Sequence, residues 1–309
     1  MKKSRTLLLG WCASVAVQLM LLGCATDQAA LRIGAFATGV GTCTDNVSQA
    51  FIEVEDVHSR AQTSGAIITF QTMQFDPDSI KPFLDPQEVE ARMTILAGLK
   101  LYAEKLSEVM GNSQLDKFDE QTKAFGESLK KLNASDALKQ HGLPHVSEKD
   151  LDIFTAAVDA LGRWFIDWKR SKEVKAIITD MHPHVVRICE LLGKDIGSKR
   201  TDKGLRFQVY KDFSDLIRNR SDWIWKDIKK FDAIQKRDEI AALVQLIRDR
   251  QTADRTLEGT YKVLSKLQET HQQLGKAFED EAPNLEDRIR ELVGEGKRIS
   301  EYYKQLKDK

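Results

Sequence analysis

The side chains that could carry chemistry are few, and their spacing is informative. Six histidines are present, His58, His141, His145, His182, His184 and His271. His182-Pro183-His184 is the one close pair. Residues i and i+2 do not share a helix face, and ligation would need two further groups such as Asp180 or Cys189. The pair therefore reads as a kink flanked by imidazoles, and no metal or other cofactor is expected. The chain has no HExxH, GxSxG, P-loop or GxGxxG pattern, and no histidine pattern marks Cys43 or Cys189 as a nucleophile. Acid clusters such as Asp119-Glu120 and Glu279-Asp280-Glu281 are ordinary on solvated helices. The expectation is a protein that is not an enzyme.

The elements that carry these residues follow from apolar spacing. Hydrophobic residues make up 41% of 309, too many for a chain disordered throughout. Six prolines and five tyrosines argue against a strand-rich sandwich. Val47, Phe51, Val54, Ala61 and Ile68 recur at helical intervals. After the cluster Pro77, Pro82 and Pro86, Asp85-Pro86 is a helix start, and Val89, Met93, Leu96, Ala103, Leu106 and Met110 form one face. Leu115 to Leu132 and Leu151 to Trp168 make two more stripes, the second opened by a capping-box-like Ser147…Asp150. A helix is expected to pass Val174 and kink near Pro183. From Gly204 to Pro283 no proline intervenes. There Leu243, Leu246, Ala253, Leu257, Leu264, Leu267, Leu274 and Phe278 fall on a and d positions of one heptad frame, shared with the polar Arg250, Thr260 and His271. Unbroken, that helix would have about 70 residues and reach roughly 105 Å; a break near Arg218–Asp222 or Lys236–Asp238 would shorten it. The two polar a positions, Arg250 and His271, are expected to set register or partner choice. Residues 283–309 read as a final helix. The predicted fold is all-α, an elongated bundle of long antiparallel helices with coiled-coil-like packing over residues 45–309.

Ahead of that bundle stand Lys2, Lys3 and Arg5, then an uncharged apolar run to Leu22, about 16 residues, short for a membrane span of roughly 20. It ends Leu21-Leu22-Gly23-Cys24. This resembles the lipobox of bacterial lipoproteins. The resemblance implies that residues 1–23 are a cleaved signal and that Cys24 is acylated, with two or three acyl chains sufficient for stable anchoring. Ala25 directly after the cysteine implies, by analogy with enterobacterial lipoproteins, the outer membrane and a periplasm-facing chain. Residues 24–44, with Gly34, Gly39 and Gly41, read as a lipidated flexible tether. Its apolar members Leu31, Ile33, Phe36 and Val40 could instead dock on the body. In an oxidising compartment Cys43 and Cys189 could form one disulfide.

Charge is uneven beneath a neutral total. Without residues 1–23, the chain carries 44 basic and 47 acidic residues. Residues 24–162 have 12 basic against 21 acidic, 163–237 have 19 against 11, and 238–309 have 13 against 15. Trp164, Trp168, Trp223 and Trp225 all lie in the basic part, Trp168 on a core seam and Trp225 potentially on one too. An anionic envelope surface could therefore be met by Arg163, Trp164, Lys169, Arg170, Lys199, Arg200, Arg218, Arg220 and Trp223. The competing expectation is that acidic first helices pack against basic middle ones and offset them. Nucleic acid is not an expected partner; the membrane through Cys24, and a protein partner or self-association through the helices, are. The leading functional expectation is a non-enzymatic, lipid-anchored scaffold, spacer or accessory subunit of a cell-envelope assembly. A pore-forming-type helical protein is the second. It lacks the apolar run of about 18 residues in the mature chain that an inserting hairpin needs.

Overall fold

The computed structural model describes residues 5–70, 74–110, 174–279 and 282–307, with side chains from Asp27 to Lys304. These residues form six α-helices and no strand: α1 Arg5–Thr69, α2 Pro86–Met110, α3 Val174–Ile196, α4 Leu205–Asp227, α5 Ala233–Leu274 and α6 Pro283–Lys307. The all-α, antiparallel, elongated architecture expected from apolar spacing is the one observed. The stripes at Leu115–Leu132 and Leu151–Trp168 lie outside the described residues.

Helix α1 is the spine, packing against α2, α4, α5 and α6. Its buried residues Ile33, Phe36, Val40, Val47, Ala50, Phe51, Val54, Val57 and Ala61 keep the three-four rhythm of one helix face. Helix α2 returns along it, with Lys100 bonded to Asp45 at 3.0 Å and Ser107 facing Gly34. Helices α3 and α4 then run in succession toward the far end, and α5 comes back the whole way. Helix α6 runs beside α1, with Leu292 against Gly39 and Asn46 bonded to the Gly296 carbonyl at 2.8 Å. The end holding residues 29–51 of α1, α2, the second half of α5, and α6 is called the base. The tip is formed by the end of α1 and the turn between α4 and α5.

Three expectations change. Residues 24–44 are not a flexible tether: they continue α1, and from Ala29 they bury Ile33, Phe36, Val40 and Cys43. The reason is visible at Gly39 and Gly34. Their missing side chains let α6 and α2 approach, a Cβ at Gly39 falling 2.9 Å from Leu292. Of the residues named as potential docking groups, Ile33, Phe36 and Val40 pack, while Leu31 is exposed. The unbroken 70-residue helix is also replaced. The chain turns at residues 228–232, between the two expected breaks, because Asp232 and Gln235 form a reciprocal capping box that starts α5. Finally, Cys43 and Cys189 are both free thiols, buried on α1 and α3. Burial pushes the Cys189 thiol up to about 12 and the Cys43 thiol well up too, so neither is a ready nucleophile. Pro183 lies inside α3 without ending it.

Candidate functional site

Two polar a positions find partners, His271 at the base and Arg250 nearer the tip. His271 is 1% exposed. Its Nε2 lies 2.9 Å from Tyr102 Oη and its Nδ1 3.2 Å from His182 Nδ1, with Phe36 edge-on at 5.8 Å. A neutral imidazole has one donor and one acceptor nitrogen, so the tautomer of His271 couples its contact with Tyr102 to its contact with His182. Burial, with His182 adding to it, pushes the His271 imidazole down to about 3, and burial pushes the Tyr102 phenol well up. Both groups are held neutral. Together they tie α5 to α2 and α3, which is the register role expected of His271. Arg250 does the same for α4. It donates to Ser214 Oγ at 3.0 Å and lies over the Tyr210 ring at 4.7 Å.

Midway along the bundle, Arg206 is buried and fully engaged. Its Nε donates to Asp254 at 2.8 Å, its Nη2 to Glu258 at 2.8 Å and its Nη1 to the Ser198 carbonyl at 2.7 Å. Arg200 shares Asp254 at 2.7 Å. Burial opposes the Asp254 carboxylate, but hydrogen bonds from Arg200 and Arg206 outweigh it and hold its pKa below the ordinary value. Arg92 grips Asp195 with two bonds of 2.7 and 2.9 Å, and His58 meets Asp212 at 3.0 Å. Charge offset within the bundle is thus real. For the described Arg200, Arg206, Arg218 and Arg220 the acids are Asp254, Glu258 and Glu239 on α5 and Asp215 on α4.

Arg163, Trp164, Lys169 and Arg170 lie outside the described residues. Lys199 is exposed in the α3–α4 loop, and Arg200 beside it pairs with Asp254. Arg218 pairs with Asp215 at 2.7 Å and Arg220 with Glu239 at 2.8 Å. The named residues that are described fall into a mid-bundle pair and a tip group of Arg218, Arg220 and Trp223. The side chain of Cys24 is likewise outside the description, although its backbone belongs to α1.

The tip is where apolar side chains meet solvent. Trp225 is 79% exposed, against the expectation that it sits on a core seam, because α4 buries Ile224 instead, one residue and about 100° away. Ile67 and Phe70 at the end of α1, Phe75 in the following loop, Trp223, and Ile234 at the start of α5 are exposed with it. Down the flank of α5, Ile240, Val244 and Ile247 form a solvent-facing stripe of their own. A groove of about 390 Å³ runs between α1 and the α4–α5 pair, lined by Ile67, Ile68, Leu216, Trp223 and Leu246. Of these residues, apolar spacing and charge point to Trp223 and Trp225 alone. The findable signal was Ile240-Val244-Ile247, a second three-four stripe beside the seam of Leu243 and Leu246.

An opening of about 500 Å³ where α3 meets α5 is lined by charges of both signs, Glu190, Lys194, Asp202 and Lys203. Among the described residues no cluster of three or more metal-ligating side chains occurs, and no helix is long and apolar enough to cross a membrane. The chain matches no protein-family model, no curated protein and no solved structure.

Proposed function

We propose that this chain is a lipid-anchored, non-enzymatic spacer of a bacterial cell envelope, acylated at Cys24 and facing the periplasm from the outer membrane. The tip is its working contact surface. One observation carries the reading: α1 is a single helix from the Cys24 region to Thr69, and the exposed Phe70, Phe75, Trp223 and Trp225 gather at the opposite end from Cys24, with Phe207 midway. From Cys24 to Ile67 that helix spans about 65 Å at 1.5 Å per residue. A spacer needs an attachment at one end, a contact surface at the other and stiffness between them. Large exposed apolar groups gathered in one place are characteristic of contact surfaces.

The test has two arms. Metabolic labelling with a palmitate analogue should mark the wild-type protein and not Cys24→Ala; label retained by the variant contradicts the anchor. A photo-crosslinker placed at Trp225 should capture a partner in cells, while one at the exposed Ile52 on the side of α1 should not. Equal capture at both positions contradicts the assignment of the tip.

A further inference from the structure

We propose that the partner of the tip is an anionic bilayer surface, so that the chain bridges the membrane holding its lipid and a second one. This rests on the spacer reading for the first attachment and on the tip alone for the second. The chemistry at the tip is that of an interfacial anchor. Trp225, Phe70 and Ile234 are 79, 64 and 62% exposed at the ends of three helices, a convex end rather than a pocket. Such an end enters the headgroup region of a bilayer without a complementary cavity. Tryptophan with an apolar body and a polar ring nitrogen favours that depth.

Charge selects the lipid. Residues 218–237 hold seven basic residues against three acidic ones. Arg218, Arg220 and Lys230 are paired with Asp215, Glu239 and Asp227. Lys226 and Lys229 are exposed and have no ion-pair partner among the described residues, and they flank the turn beside Trp225. Unpaired lysines beside interfacial aromatics draw an anionic surface. The adjoining loop brings Asp76 and Asp78, but the Asp76 carboxylate is used in its own turn, accepting from the Asp78 backbone N–H at 3.0 Å. The continuity of α1 decides between one bilayer and two. With no flexible tether between the acylated cysteine and the buried stripe that starts at Ala29, the tip is held away from the bilayer that anchors the chain.

The acylated full chain is reconstituted into phosphatidylcholine donor vesicles. These are mixed with dye-labelled acceptors of either phosphatidylcholine alone or phosphatidylcholine with phosphatidylglycerol, and capture is read by co-flotation. Capture of only the phosphatidylglycerol acceptors is expected. Replacing Trp225, Phe70 and Ile234 together by Ser should abolish it, and Lys226→Gln with Lys229→Gln should weaken it roughly 25-fold, at about fivefold per surface lysine. Brominated acceptor lipid should quench wild-type tryptophan emission, and Trp225→Phe should remove most of that quenching while capture persists. Cys24→Ala should lose donor attachment yet still float with acceptors. Loss of donor attachment by the wild type would sink the spacer reading alone. Capture that is absent, indifferent to phosphatidylglycerol or unchanged in the tip variants would overturn the proposal. So would tip variants that alter self-association in light scattering and leave capture intact, since the tip would then be a site for a second copy.

Discussion

The two halves of α5 are one helix in two environments. From Ala253 to Leu274 it buries Ala253, Leu257, Val263, Leu264, Leu267 and Leu274; from Ala233 to Arg250 it buries nothing completely. Among the described helices the first stretch lies against α1, α3 and α6 at the base, and the second beside α4 and the end of α1. Helix α1 repeats the contrast, with no fully buried residue after Ala61. Burial is thus concentrated at the base, where Leu31 is the large apolar exception, and the tip is a thinner extension whose exposed apolar residues stay free for another surface. If that division is correct, equal changes in chemistry at the two ends must have unequal effects.

The largest effect is expected at the junction between them. Asp254→Ala leaves Arg206 buried without its main partner and should destabilise by about 3–5 kcal/mol, read by denaturant unfolding. Asp254→Asn, which keeps two side-chain acceptor lone pairs, should cost less. If Asp254→Ala costs under about 1 kcal/mol, the junction is not a buried charge cluster.

Packing comes next. Leu267→Ala at the base should cost about 2–5 kcal/mol because the side chain is fully buried in the core. Val244→Ala on the tip stripe should stay within about 0.5 kcal/mol. Comparable losses at both positions would erase the distinction.

Protonation probes the same contrast. The folded pKa of His271, about 3, lies below the ordinary value of 6.5. The unfolded chain therefore takes up this proton more readily. The contribution of neutral His271 is fully present above pH 6.5, is lost as pH falls toward 3, and changes no further below that. At pH 5 the loss is about 2 kcal/mol, from a slope of about 1.4 kcal/mol per pH unit. Stability measured from pH 7 to 4 should show that slope, and His271→Phe should flatten it. An unchanged slope in the variant would place the titration elsewhere. The smallest effect belongs to the tip. Trp225→Ser with Ile240→Ser should leave thermal stability nearly unchanged, and a loss above about 1 kcal/mol would mean these side chains are packed.

Which parts of this could be read in advance follows from range. The seam Ala253–Leu274 and the polar a positions Arg250 and His271 are set by local period, and both were visible. So was the cap that starts α2. The tether was misread because glycines at 34, 39 and 41 look the same whether they loosen a chain or let helices touch, and only Leu292 and Ser107 decide. The turn at 228–232 rests on Asp232 and Gln235, a signal present but unweighed. The seam role suggested for Trp225 failed because a helix of two apolar neighbours, Ile224 and Trp225, leaves open which one the bundle covers. Partners 169 residues apart, as for Tyr102 and His271, leave no trace in spacing at all.

The central claim is that one end of the molecule is attached and the other held clear. Fluorescence energy transfer tests it directly. Label the full acylated chain at Lys229→Cys, with Cys43 and Cys189 protected by burial, in phosphatidylcholine vesicles carrying a lipid acceptor dye, and compare it with the same label at Gln28→Cys. Strong transfer at position 28 and little at 229, consistent with a tip about 65 Å away, is the predicted result. Equal, strong transfer from both positions would mean the chain lies along its own membrane, and the account of base and tip would fail.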